Sequence, residues 1–451
     1  MPKVKAVSVF NLWRRFWAAD AFSRFTLFFL VWIVVEDFIR KQTGMFIVYG
    51  AKYCFAGLLY YISLTRSLAL GKIAVPRLAF LVPKLMFLGL AIVQSFNPYL
   101  PNMLVPIFGL LNAFFFVPMV FVGYYFAKRS SSIHDLFSAF CIMLLLVSSV
   151  GLYQAFVDPD FLNPAADDNF KYSIERTAGL WRVTSIFVDT GRYAFYVGFM
   201  FVFLLGYRMF CTRYNFALEV LIFIVFMAAI TNGSRSPAFM ALLALGIFVY
   251  LKRKDRKAPV MLVGALTVLA IVIVNVGYMM ADSRQLSFLA SHVLNVDDVL
   301  DRLGITSQTT GSILNEFDIF WGHGTGIASL GLNYIGFESP ISAEGGYITL
   351  GVVYGIFVYP LWGLFVYSIL LELWKISRRL RRLRDPAQYI PISVFIAFAI
   401  QYLFLFNLGM QNYENYIVQF HLWFMLGFSI SFSRERLKEW RASITRMSAL
   451  A

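Results

Sequence analysis

Charge is scarce in this sequence. Asp, Glu, Lys and Arg make up 14% of its 451 residues, against about 25% in an ordinary soluble domain. That deficit excludes a conventional water-soluble globule. Cysteine is scarcer still: Cys54, Cys141 and Cys211 lie in or at the ends of apolar runs. They are too few and too scattered for a disulfide framework or a zinc site, so packing is their expected role. There are four histidines in all, which makes each one worth locating. No Gly-Lys-Ser/Thr follows any glycine-rich stretch, so a Walker A phosphate loop is excluded. No internal repeat is visible. No small-residue cleavage motif flanks the first apolar run, Arg24 to Ile39, which therefore reads as a span and not as a removed signal peptide.

Apolar residues, by contrast, make up 59% of the chain, and they fall in long runs. A run of roughly 20 apolar residues is long enough to cross the hydrocarbon core, where unpaired backbone groups force it to be helical. The expected fold is all-α and polytopic, with about twelve spans. They are placed at 22–39, 45–64, 78–95, 103–126, 133–156, 191–210, 214–231, 236–251, 259–280, 346–374, 390–409 and 415–432. This divides the chain into helices 1–5 (1–156), a first long loop (157–190), helices 6–9 (191–280), a second long loop (281–345), helices 10–12 (346–432) and a basic tail (433–451). Placing both termini in the cytoplasm puts most of the 39 Lys and Arg residues inside, including Lys252–Lys257 and Lys375–Arg384, as the positive-inside tendency requires. The net charge of +14 then suits an anionic inner leaflet and calls for no nucleic acid.

On the outer face acids outnumber bases, so an arginine there is not a topology signal. Loops beyond about 15 residues are usually functional or disordered, and neither long loop is Ser/Gly- or Lys-rich. The second contains an amphipathic stretch, Leu286 to Leu303, that reads as helix lying on the membrane surface. The first loop ends in Arg176-Thr-Ala-Gly-Leu-Trp-Arg182-Val-Thr-Ser-Ile-Phe-Val-Asp189-Thr-Gly-Arg192. Guanidinium forks suit bidentate binding of phosphate oxygens; the alternative is that Arg176, Arg182 and Arg192 pair with Glu175, Asp189 and lipid headgroups. The short connection Thr231-Asn-Gly-Ser-Arg235-Ser-Pro237 sets an arginine at the mouth of two helices, which is costly without a partner; snorkelling to headgroups is the alternative.

The second loop closes with Gly322-His323-Gly324-Thr-Gly326 and then Glu344-Gly-Gly-Tyr347. Glycines so spaced let a loop fold tightly over a ligand. His323 or Glu344 can accept a proton if burial and neighbours tune it, or they are a structural histidine and a solvated glutamate. Gly322, Gly324, Tyr347 and Arg302 are the candidate loop contacts.

Taken in order, these segments resemble the O-antigen polymerase and O-antigen ligase family of membrane glycosyltransferases. Arg182–Ala194 resembles its arginine-led motif, Asn232-Gly-Ser-Arg235-Ser its Thr-x-Ser-Arg motif, and Gly322–Gly326 with Glu344–Ile348, Gly351 and Gly355 its closing signature. The resemblance runs from Arg176 to Gly355 and the spans beyond; the first four spans carry no motif. It implies a GT-C-like enzyme of the bacterial inner membrane. Such an enzyme takes glycan from an undecaprenyl diphosphate carrier, needs no metal or other cofactor, and binds the diphosphate with arginines. It also implies membrane lipids and a chain-length regulator as partners. Ligases of the family carry a histidine where this chain has Glu344, which favours polymerase and leaves the base open between Glu344 and His323. Three alternatives stand beside it: a ligase or protein-glycosylating relative; a lipid-linked glycan flippase or secondary transporter; and a metal-dependent transferase. Transporters tend to show repeated halves and broken midplane helices, whereas the intramembrane charges expected here are few (Lys52, Lys84, Glu219). A metal-dependent enzyme would need acids in its first outer connection, and residues 40–44 contain none; Asp158/Asp160 and Asp167/Asp168 come much later.

Overall fold

The computed structural model describes residues 16–44, 46–69, 78–128, 132–158, 160–163, 183–211, 215–232, 234–252, 319–329, 346–406 and 415–450. Among them every regular element is a helix and no strand occurs. In chain order the helices are α1 Ala21–Thr43, α2 Phe46–Ala69, α3 Leu81–Gln94, α4 Leu104–Phe114, α5 Met119–Phe126, α6 Ser132–Phe156 and α7 Thr190–Phe210. Then come α8 Phe216–Thr231, α9 Arg235–Lys252, α10 Gly346–Tyr354, α11 Val358–Arg382, α12 Tyr389–Ala399 and α13 Tyr416–Leu450. Five are long and apolar enough to cross a membrane: Leu104–Phe126 (α4 with α5), Ile133–Phe156, Thr190–Phe210, Pro386–Leu405 and Tyr416–Arg446. Large apolar side chains point outward from several helices, among them Val82, Leu85, Met86 and Val93 on α3 and Leu364 on α11. An apolar exterior over a packed apolar interior is what a lipid-facing bundle requires.

The ends of the helices follow local rules. Gly44 closes α1 in the left-handed region, its N–H donating to Arg40 O at 2.9 Å, the usual glycine stop. Asp189 and Asn215 cap α7 and α8 by accepting from Arg192 N and Leu218 N, as Ncap residues do. Two expected single spans are broken. Turns at Phe115–Pro118 separate α4 from α5, because Pro118 cannot donate to a continuing ladder. The expected span 346–374 is two helices, divided where Gly355 adopts φ +81°. The helix of the last expected span does not stop at residue 432: α13 continues unbroken through the expected tail. α12 passes directly into a π-helical segment, Ile400–Leu405, a distortion that recurs at functional sites. The expected span 259–280 and the surface stretch 286–303 lie outside the described residues.

α5 and α13 form the closest helix pair. A Cβ on Gly427 would sit 1.7 Å from Val120 O, and one on Gly123 would sit 2.0 Å from Phe424 O. Small residues bring these backbones together, as in membrane bundles generally. α7 lies at the centre, packed by α8, α9 and α12, and nearly every residue from Tyr193 to Tyr207 is buried. The charges expected inside the bundle are accommodated. The Lys84 ammonium lies 4.5–5.6 Å from the ring centroids of Phe87, Phe114, Phe365 and Trp423, an aromatic enclosure that stabilises a desolvated cation. Glu219 pairs with Arg208. Lys52 belongs to a larger group of charges.

Candidate functional site

Residues 183–188 connect the first long loop to α7 without forming a helix, yet all six are buried. Non-helical backbone inside a helical bundle must find partners for its polar groups, and here three helices supply them. From α8, Asn232 O accepts from Val183 N at 3.3 Å and its Nδ2 donates to Val183 O at 3.3 Å. From α6, the Gln154 carboxamide accepts from Ser185 N at 2.7 Å and donates to Ser185 O at 3.2 Å, and Val147 O accepts from Ser185 Oγ at 2.7 Å. From α1, Lys41 Nζ donates to Thr184 Oγ1 at 2.8 Å and Ser185 O at 2.7 Å, while Asp37 accepts from Val188 N at 3.0 Å. Ser185 sits at φ +52°, a conformation that a non-glycine residue holds only when its surroundings impose it.

Residues 183–188, the strap, lead into a buried charge network. Arg192 Nη1 donates to Asp37 Oδ1 at 2.5 Å and Arg192 Nε to Asp189 Oδ2 at 2.7 Å. Its guanidinium lies 5.0 Å from the Tyr416 ring centroid. Tyr416 donates its hydroxyl to Asp37 at 2.9 Å. Lys52 stacks 3.4 Å over the other side of that network, on the Tyr416 ring, and lies 4.0 Å from Glu36. Glu36, Asp37 and Lys52 are wholly shielded from solvent, and Arg40 and Lys41 nearly so. Arg192 thus takes the alternative partner foreseen for it, Asp189, together with one that was not foreseen, Asp37. A fork engaged by two carboxylates orients the start of α7.

The strap brings two of the sequence segments together. Val183, which follows Arg182, is paired twice with Asn232, which lies three residues before Arg235 at the first position of α9. Arg176, Arg182, Glu344 and Arg302 lie outside the described residues.

The glycine-rich segment forms a second group. His323 N donates to Val352 O at 2.7 Å and Gly324 N to Val353 O at 3.1 Å. Gln94 Nε2 donates to Trp321 O at 2.6 Å and Asn97 Nδ2 to Gly322 O at 3.0 Å. Gly322, Gly324 and Gly326 all take positive φ, and a Cβ on Gly326 would meet Val105 O at 2.3 Å. These glycines fold the loop tightly, and what they fold it against is the protein's own backbone in α4, α10 and the Gly355 break. His323 is half-buried, its ring 5.0 Å from that of the exposed Tyr99. Tyr347 belongs to the edge of this group. Its hydroxyl donates to Tyr402 O at 2.6 Å in the π-helical segment. The Tyr402 hydroxyl donates to Gln419 Oε1 at 3.1 Å, one turn of α13 beyond Tyr416. That chain links the tyrosine of the loop motif to the Asp37–Arg192 network.

Sequence reasoning missed the contribution of α1. The signal was present: Glu36, Asp37, Arg40 and Lys41 place acid and base four residues apart inside and just beyond a presumed span, where charges are rare and usually functional. The acidic pair Asp158/Asp160 forms a turn, with Asp158 Oδ1 accepting from Asp160 N at 3.0 Å. Among the described residues no group of His, Cys, Asp and Glu is arranged to hold a metal ion; Asp167 and Asp168 lie outside them. No family model matches the chain, and no curated protein matches it.

Proposed function

We propose that the protein is a glycosyltransferase of the bacterial inner membrane, with both termini cytoplasmic. It joins glycan units carried on undecaprenyl diphosphate at the outer face, as a polysaccharide polymerase does. The observation that carries this reading is the double pairing of Val183 with Asn232. It ties the segment led by Arg182 to the turn led by Arg235, beside a buried cationic network. The guanidinium forks that these two segments carry match the oxygens of a diphosphate.

In the proposed reaction an acceptor hydroxyl attacks the anomeric carbon. The bond from that carbon to the diphosphate oxygen breaks, and the diphosphate leaves with the bonding pair. Fixed guanidinium groups stabilise the charge that develops on it. The hydroxyl proton passes to a base, His323 or Glu344. Neither step calls for a metal.

The test is transfer by purified protein in vesicles with a lipid-diphosphate-linked glycan. Arg182→Ala and Arg235→Ala should each lose on the order of a hundredfold in rate, about 3 kcal/mol, at normal membrane abundance. Lysine should rescue poorly, since a point charge cannot reproduce a planar fork. Full activity in either alanine variant would overturn the assignment.

A further inference from the structure

α11 turns one side to the bundle, a stripe of buried positions that includes Phe365, Ile369, Leu373, Ile376 and Leu380. At about 3.6 residues per turn, the positions opposite that stripe are Leu364, Tyr367, Lys375, Arg378, Arg379 and Arg382. The first two are large and outward-facing, 58% and 63% exposed. The last four are basic and exposed. One face of α11 therefore changes from apolar to cationic along its length, and the exposed Trp374 marks the change. Tryptophan gathers at the level where hydrocarbon meets headgroups. Arg378 and Arg379 follow it by about 6–8 Å of helix, which is about the depth of one headgroup layer.

The acids of this segment are neutralised from α13. Glu372 pairs with Arg434 at 2.7 Å and Asp385 with Arg436 at 3.2 Å. Among the described residues none of Arg378, Arg379, Arg381, Arg382 and Arg384 is in an ion pair. The end of the helix adds an independent sign. Asp385 N donates to Leu380 O at 3.1 Å and Arg384 N to Arg381 O at 3.0 Å, the pair of hydrogen bonds that closes a helix with glycine at the left-handed position. Here that position is Arg384, at φ +54°. Glycine would sit there with less strain, and the arginine keeps one more cation on this surface.

We propose that this end of α11 binds anionic phospholipid, with Arg378, Arg379 and Arg382 on the phosphate oxygens and the face from Leu364 to Trp374 against the acyl chains. The occupant is a lipid because the cationic face continues an apolar one, so a ligand there must satisfy both. Guanidinium forks take phosphate oxygens two at a time. Arg378 and Arg382 are one turn apart, about 5–6 Å between their Cβ atoms, and a headgroup with two phosphates can engage both. Basic clusters beside a span attract anionic lipid in general. The fold adds a direction: these bases point away from the bundle, over the surrounding leaflet. Binding here requires that α11 cross the bilayer and requires nothing of the proposed transfer reaction.

The experiment uses the full chain, purified in neutral detergent, with bound lipid read by native mass spectrometry. The probes are cardiolipin, phosphatidylglycerol and phosphatidylcholine. Wild type should retain cardiolipin most, then phosphatidylglycerol, with phosphatidylcholine at least about tenfold weaker. Arg378→Gln with Arg379→Gln and Arg382→Gln should lower cardiolipin retention at least about tenfold. Thermal stability should stay close to wild type, because these exposed side chains make no ion pair. Lys438→Gln with Arg441→Gln and Arg446→Gln removes the same number of charges from the exposed end of α13 and should keep cardiolipin within about threefold of wild type. Equal loss in the two triple variants would overturn the proposal, since net charge alone gives that result. Equal retention of all three lipids by wild type would overturn it as well. Displacement of cardiolipin by a polyglutamate peptide at matched charge would do the same, by making the face a dock for acidic protein.

Discussion

Removing Asp37 should unfold the site from α1 outward. Its carboxylate is shielded from solvent and accepts from Arg192, Tyr416 and Val188. Asp37→Ala removes at once the acceptor shared by the Arg192 guanidinium, the Tyr416 hydroxyl and the Val188 N–H. Breaking a buried ion pair by deleting one partner costs about 3–5 kcal/mol, and each stranded polar group about 1–3 kcal/mol. These terms share one network and do not add, so the expected loss is at least about 3 kcal/mol. Asp37→Asn keeps the volume and an acceptor oxygen, and should lose about half as much. The double variant Asp37→Leu with Arg192→Met replaces the pair by apolar groups, and should cost clearly less than the sum of its single variants. Asp189 tolerates the loss of Arg192 because it is 38% exposed and can be hydrated. The assay is unfolding in mixed micelles with increasing dodecyl sulfate, followed by tryptophan fluorescence. An Asp37→Ala protein within about 1 kcal/mol of wild type would refute the network as a structural element.

Gly326→Ala should weaken the packing of the loop, because its φ of +87° and the contact with Val105 O leave no room for a Cβ; proteolysis between residues 319 and 329 should accelerate, and an unchanged cleavage rate would count against the loop packing. Gly427→Leu should block the approach of α13 to α5 and reduce membrane abundance severalfold on immunoblots, with Gly363→Leu as the control, since Gly363 has open space around it. Transfer should persist in excess chelator, and Asp158→Asn with Asp160→Asn should be nearly silent; loss on chelation that metal restores would put the acidic alternative in place of the arginine mechanism. Cysteine at position 381 should be shielded from an impermeant thiol reagent in intact cells and cysteine at position 160 labelled; labelling of 381 would reverse the proposed orientation.

The helices were legible in the sequence because their cause is compositional. A run of apolar residues has no alternative to helix in lipid, so 190–210 and 132–156 were readable to within a residue or two. What was not readable has a different cause in each case. Gly355 breaks the tenth span where a Cβ would lie 2.7 Å from Phe320 O and 2.9 Å from Trp321 O, a tertiary demand that leaves no periodicity. α13 runs past residue 432 because Arg434 and Arg436 pair with Glu372 and Asp385. Those partners are 62 and 51 residues away in sequence, so hydropathy marked only the polar boundary. The glycine run was read as a loop folding tightly over a ligand; the structure packs it against the protein's own backbone, and composition cannot tell the two apart.

The candidate site shows the limit most clearly. Motif reasoning looks for charge that is conspicuous, and it found arginines on an acidic face. The residues that hold the adjoining backbone are inconspicuous for physical reasons. Gln154 acts through a carboxamide that imitates a peptide group, and Asn232 through its backbone carbonyl and its side-chain NH2, each pairing with both the N–H and the C=O of one strap residue. Neither gives a signal in composition or spacing. Asp37 and Lys41 were visible as charges but were absorbed into the edge of a span, where an acid and a base four residues apart look like a local helical pair. In the fold each also reaches a long-range partner: Asp37 pairs with Arg192, and Lys41 donates to Thr184 and Ser185. A charge pair at helical spacing near a span's end is therefore worth testing for two separate long-range partners before it is dismissed as local.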